Sequence, residues 1–192
     1  MKKGKVKKLP GMSMGKTIML LAIALIAVSL GFLAHMGVFN VLTVTEEEIG
    51  PCTYVYESFA GDYAKTGPVF EKLYKSLLAD GAPASKGIGI YYDDPKKTAK
   101  DDLRSDCGAV IFENDLVKLP KLLEKYTART LSAKVRPTVE FPYRNGLSFM
   151  IGPMKAYPAL TKYVVKKGYK VKSAIEIYDM DGGKIIYAMD VE

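Results

Sequence analysis

The chain has 192 residues, 48% apolar and 26% charged, a composition that excludes disorder. Two cysteines exclude a disulfide-dense scaffold and a four-cysteine zinc site, and a single histidine, His35, excludes a Ser-His-Asp triad and a His-rich metal site. The formal net charge of +7 sits in a tail: residues 1–40 carry six lysines and no acid, leaving 22 basic against 21 acidic residues, so the remainder lacks the electrostatic footprint of a nucleic-acid binder.

From Thr17 to Thr45 there is no Asp, Glu, Lys or Arg. The run Ile18–Phe39, at about 1.5 Å per residue, spans about 33 Å, enough for a hydrocarbon core of about 30 Å. This predicts a basic cytoplasmic tail over 1–16, a transmembrane helix over 17–39 and a linker over 40–50. The positive-inside rule places the rest of the chain on the extracytoplasmic side. A signal peptide cut near Ala27-Val28-Ser29 is the alternative; either reading exports the domain. His35 falls near the helix end as an interfacial residue. Gly11–Thr17 imitates a phosphate loop, but it has three residues between its glycines where the motif needs four, and no strand precedes it.

The segment 51–58, rich in Tyr, Val and Thr, predicts a strand. Gly67-Pro68 opens a helix carrying Val69, Phe70, Leu73, Tyr74, Leu77 and Leu78 at helical spacing, ended by Asp80-Gly81. Strands follow at 87–93 and 107–112, and a short helix is expected over 116–126. The order then recurs: a strand at 134–143, a helix after Gly152-Pro153 reaching Lys167-Gly168, and strands at 173–178 and 184–189 around an Asp181-Gly182-Gly183 turn. Gly152-Pro153 repeats Gly67-Pro68 at an offset of 85 residues, and Glu176–Asp179 repeats Ile90–Asp93 at 86. The expected fold is therefore α+β: two βαββ units, about 51–113 and 134–192, related by a pseudo-two-fold within one domain over 51–192, with a central cleft between them.

The stretches Ile88–Pro95, Phe141-Pro142-Tyr143, Tyr157–Leu160 and Ala174–Tyr178 resemble the GyrI-like small-molecule-binding domain, of the effector-binding and SOUL-type superfamily. The resemblance covers about residues 41–192. Within the family the chain is similar to the membrane-anchored branch, which includes an ER-phagy receptor. The resemblance implies a central pocket for bulky cationic or aromatic ligands, with a strand glutamate facing it. Glu176 matches that glutamate. Tyr143, Tyr92 and Tyr56 are candidates for the aromatic wall, each with core or edge packing as its alternative, and Glu176 has the alternative of a solvated strand face. Some family members hydrolyse reactive genotoxins with a Glu and a Tyr or Trp, so Glu176 is also the candidate base of a hydrolase. The absence of Trp departs from that pattern. No cofactor is expected, haem included, since no histidine lies in the domain. A DNA-binding helix-turn-helix is not expected either. The receptor role is not carried over, because no long tail follows the last strand and the lysine flank predicts the opposite orientation.

The aspartates Asp93, Asp94, Asp101, Asp102 and Asp106 alternate with basic residues and read as a solvated loop. Asp179–Gly182 begins like a calcium loop but lacks its closing glutamate; a hairpin turn explains it. Cys52 and Cys107 fall on two strands of one unit, where pairing and two free thiols remain open alternatives. The leading expectation is a membrane-anchored module binding an amphipathic or cationic small molecule. A hydrolase and a tethered protein-interaction module are the competing readings.

Overall fold

The computed structural model describes residues 13–82 and 84–192, without the side chains of Glu113 and Asn114. The first twelve residues, with five of the six tail lysines, lie outside the described residues. The chain forms two compact units, up to Asn40 and from Val41 to Glu192.

The first unit is helix α1 (Met14–His35), a 22-residue helix of mean hydropathy 2.6 in its core window. It is long and apolar enough to cross a membrane. It ends at His35, so the last residues of the span expected over 17–39 form a turn.

The second unit is one eight-stranded antiparallel sheet, curled into a half-barrel, with helices on one face. Its strands are β1 (Thr45–Ile49), β2 (Cys52–Ala60), β3 (Lys86–Tyr91), β4 (Arg104–Ile111), β5 (Thr127–Leu131), β6 (Lys134–Pro142), β7 (Val171–Asp179) and β8 (Lys184–Val191). Helix α2 (Gly67–Ala79) joins β2 to β3, the short α3 (Leu119–Leu123) precedes β5, and α4 (Ser148–Lys167) joins β6 to β7. The strand order β1-β6-β8-β7-β3-β4-β2-β5 is palindromic in construction. Each βαββ unit contributes three inner strands, and the units meet at the β3–β7 seam. Each is also edged by the strand that precedes the other unit's first strand: β1 pairs with β6, and β5 with β2.

The edge strands β1 and β5 are the additions to the sequence reading, which left 40–50 as linker and assigned nothing to 127–131. Both are five residues long and mostly exposed, and β1 carries three glutamates, as suits an edge that must not pair further. The second helix also begins earlier than expected. Gly152-Pro153 lies inside α4, after a first turn that starts at Ser148.

The faces separate by strand parity. On one, α2 packs Leu73 and Leu77 against Val55, Ala109 and Ile111, while α4 packs Ala156, Leu160 and Val164 against Val139, Phe141, Ile185 and Tyr187. On the other, Tyr54, Ile88, Ile90, Val110, Ile175 and Ala188 form a separate cluster. Cys52 belongs to this second face and Cys107 to the first. Both are free thiols: facing opposite ways, they do not form the disulfide left open by the sequence.

Candidate functional site

Glu176 lies at the middle of β7, on the helix-covered face, opposite Gly89 of β3 and Tyr187 of β8. It is only 6% exposed. Its two oxygens accept separate hydrogen bonds: Tyr157 of α4 donates to Oε1 at 2.5 Å and Tyr178 to Oε2 at 2.8 Å. The Tyr178 hydroxyl meets that of Tyr91 at 2.8 Å, so three phenols and one carboxylate form a continuous chain.

Glycines make the room. A Cβ on Gly89 would stand 2.7 Å from the Tyr91 ring, and one on Gly152 would stand 2.1 Å from the Tyr187 hydroxyl. Both positions are thereby reserved for tyrosine rings that crowd toward the carboxylate. Among the described residues, the buried Tyr187 hydroxyl has no hydrogen-bond partner, and neither has that of Tyr74. A layer of aromatic contacts closes the cluster: Phe70 of α2 and Phe149 of α4 both abut Tyr178 edge-to-face, as Tyr63 does Tyr91, and Tyr143 packs on Phe149 at a tilt. Between the two helices, the groove over the β3–β7 seam is thus filled by aromatic side chains.

No Lys or Arg forms an ion pair with Glu176 among the described residues. Burial pushes its carboxyl above the usual range, and the hydrogen bonds from Tyr157 and Tyr178 pull it partly back. Burial, and then the Glu176 charge, raises Tyr157 and Tyr178 well above the ordinary phenol range. The tyrosines therefore remain neutral donors, and among the described residues the charge in the cluster is that of the Glu176 carboxylate.

The sequence candidates divide between the faces. Glu176 and Tyr143 belong to the helix-covered cluster. Tyr56 and Tyr92 belong to the other face, around Arg129 of β5. There Arg129 donates to Asp106 at 2.8 Å, to Tyr92 at 2.6 Å and to Tyr56 at 2.9 Å, and its guanidinium stacks 4.9 Å from the Tyr56 ring centre. Asp106, 4% exposed on β4, also accepts from Tyr92 and Ser58; it is a buried anchor and does not share the solvated loop. Two clefts of about 200 and 490 Å³ lie on this face, sharing Tyr92 and Arg129. Among the described residues no group of His, Cys, Asp and Glu is arranged to hold a metal ion.

The tyrosines that touch Glu176 were missed as site residues by sequence reasoning. Two signals pointed to Tyr178 and to its partner Tyr91, and none to Tyr157. Tyr178 shares the parity of Glu176, and the Gly-x-Gly-x-Tyr spacing of β3 puts two vacancies and a ring on one face.

No family model matches the chain. Human testis-expressed protein 264 is 26% identical over 169 residues, which cover 84% of this chain and 52% of that protein. Its mouse homologue is 24% identical over 158 residues, covering 78% and 50%. The chain spans about half the length of these curated relatives. Among solved structures, SAV2435 bound to tetraphenylphosphonium superposes with a TM-score of 0.54 at 15% identity, covering 78% of this chain and 94% of that one. The EcmrR C-terminal domain superposes with a TM-score of 0.50 at 17% identity, covering 79% and 98%. The domain from Val41 onward shares the fold of these two structures.

Proposed function

We propose that the domain is a small-molecule-binding module whose ligands are lipophilic aromatic cations, held at Glu176 and presented at a membrane by α1. The observation that carries this reading is the buried, cation-free carboxylate of Glu176 inside a cage of neutral tyrosines. A buried carboxylate without a counter-ion costs several kcal/mol, which a delocalised cation recovers on binding. Aromatic faces add about 0.5–2 kcal/mol each when desolvated. The same combination suits a poorly hydrated cation better than an ammonium, which is costly to strip of water. That SAV2435 was solved with tetraphenylphosphonium gives the choice of probe.

Binding on this reading requires rings to move. Phe149, on the first turn of α4 and partly exposed, is the side chain that swings away from Tyr178, with Tyr143 completing the aromatic wall. The ligand then takes the place of the ring over the tyrosine–carboxylate chain.

The test is thermal unfolding of the full chain in detergent, with tetraphenylphosphonium and with neutral triphenylphosphine oxide. A ligand present at one hundred times its Kd stabilises by about 2.7 kcal/mol. We expect stabilisation by the cation, little by the neutral analogue, and loss of the difference in Glu176→Gln. Equal stabilisation of wild type and Glu176→Gln would refute the assignment. A second reading, hydrolysis with Glu176 as general base, is favoured by the raised carboxyl beside two tyrosines. Mass analysis of each bound compound after incubation separates the two, since binding alone returns it intact.

The orientation proposed for α1 puts the basic tail in the cytoplasm and the domain outside. Accessibility of Cys52 to an impermeant thiol reagent in sealed vesicles of known sidedness tests it.

A further inference from the structure

A second constellation, across the sheet from Glu176, has no part in the proposed cation site. The smaller cleft on the face opposite the helices, about 200 Å³, is walled by Tyr54, Ile90, Tyr92, Leu131 and Ile175. Its charged lining is two arginines, Arg129 and Arg136, and one carboxylate, Asp190.

Arg136 of β6 is 2% exposed. Its Nη1 donates to three backbone carbonyls, those of Ile49 at 2.7 Å, Ser132 at 3.1 Å and Lys134 at 3.2 Å. Its Nε faces Asp190 Oδ1 at 3.3 Å. Its Nη2 has no hydrogen-bond partner among the described residues. A guanidinium is an obligate cation with five donors, and those on Nη2 are left open to the cleft that Arg136 lines.

The charge around it is also unbalanced. Asp190 Oδ1 is shared, accepting from Lys134 Nζ at 2.9 Å as well. Asp106 is matched to Arg129. Three cations thus face two carboxylates. Glu47 stands opposite Arg136 in register, but it is exposed, accepts from the Thr45 hydroxyl at 2.6 Å and forms no ion pair with Arg136.

The size limits the occupant. An apolar cavity of about 150 Å³ takes one benzene. The cleft therefore suits one ring and one small acidic group. We infer that it is a second binding site, for a small aromatic carboxylate of the benzoate class, with the carboxylate on the free Nη2 of Arg136 in the field of Arg129 and the ring against Tyr54, Ile90 and Ile175. This site is independent of the cation site, lying on the other face of the same sheet.

The experiment is a benzoate titration of the full chain in detergent micelles, followed by the isoleucine δ-methyl NMR signals. Saturable shifts are expected at Ile90 and Ile175, with Ile185 of the helix-covered face unmoved. Benzyl alcohol and inorganic phosphate are expected to bind at least tenfold more weakly. Glu176→Gln is expected to leave the benzoate affinity unchanged. Ser173→Leu, which fills the cleft, is expected to abolish the shifts. Arg129→Gln, at a half-exposed side chain, is expected to weaken them at least threefold, and it keeps the test open if Ser173→Leu fails to fold. Equal affinity for benzyl alcohol would overturn the role of the charge. Equal affinity for phosphate would overturn the role of the ring. An absence of saturable shifts at Ile90 and Ile175 would overturn the site.

Discussion

Gly152→Ala tests the packing that builds the tyrosine cage. Inside an exposed helix this change adds about 1 kcal/mol of stability. Here the new Cβ would lie 2.1 Å from the Tyr187 hydroxyl oxygen and 2.9 Å from the carbon that bears it. The ring must retreat by about 1 Å or more to reach van der Waals distance. It has nowhere to go, being fully buried with the Tyr157 ring against it at 5.8 Å and Val139 beside it in register. Overpacking of this kind costs about 1–3 kcal/mol, and the displaced Tyr157 also loses its aim at Glu176. We expect a net destabilisation of about 1–2 kcal/mol, a fall in Tm of roughly 2–8 °C for a domain of this size. The assay is thermal and urea unfolding followed by tyrosine fluorescence, with Gly146→Ala, whose Cβ meets nothing within 4 Å, as the neutral control. Adding Tyr187→Phe removes the shortest contact and is expected to recover part of the loss. Stabilisation by Gly152→Ala alone would refute the reasoning, because propensity would then have won over the contact.

Three further outcomes follow from the same geometry. Tyr187→Phe alone is expected to be neutral or stabilising by up to about 1 kcal/mol, since it deletes a buried hydroxyl that bonds nothing; a loss above about 1 kcal/mol in urea unfolding would show a partner there. Glu176 has a folded-state pKa raised above 4.5, so its contribution favours folding fully below that value and is lost as pH rises through the folded pKa. Stability of wild type relative to Glu176→Gln should therefore decline from about pH 4 upward, and a difference flat with pH would contradict a buried, uncompensated carboxylate. Maleimide should label Cys52 before Cys107, because Cys107 is wholly buried and burial pushes its thiol up to about 12. Detection of a Cys52–Cys107 disulfide in the folded protein would contradict the sheet register.

The inner architecture was legible because it repeats. Each βαββ unit carries its own apolar periodicity, and landmarks recurring at nearly constant offset locate both copies. The edge strands were not legible, because TEEEI and TARTL are short and polar and acquire their structure from the strand they pair with. Glu176 could be singled out as a charge among β-branched residues. Its surroundings could not, because they depend on cross-strand register: Tyr91 and Tyr92 are adjacent in sequence, and only the pairing of Gly89 with Glu176 decides which of them faces the carboxylate. That register turns Tyr91 to Tyr178 and leaves Tyr92 to Arg129 on the other face. The carboxylate itself needed no long-range information, but Tyr157 comes from a helix 19 residues away and Tyr91 from the other unit.

The most direct test of Glu176 as a counter-charge is calorimetric titration of the full chain with tetraphenylphosphonium near neutral pH, wild type beside Glu176→Gln. We expect saturable one-site binding that weakens at least tenfold when the carboxylate becomes an amide, equivalent to about 1.4 kcal/mol or more. Undiminished binding in Glu176→Gln, or no binding in either protein, would contradict it.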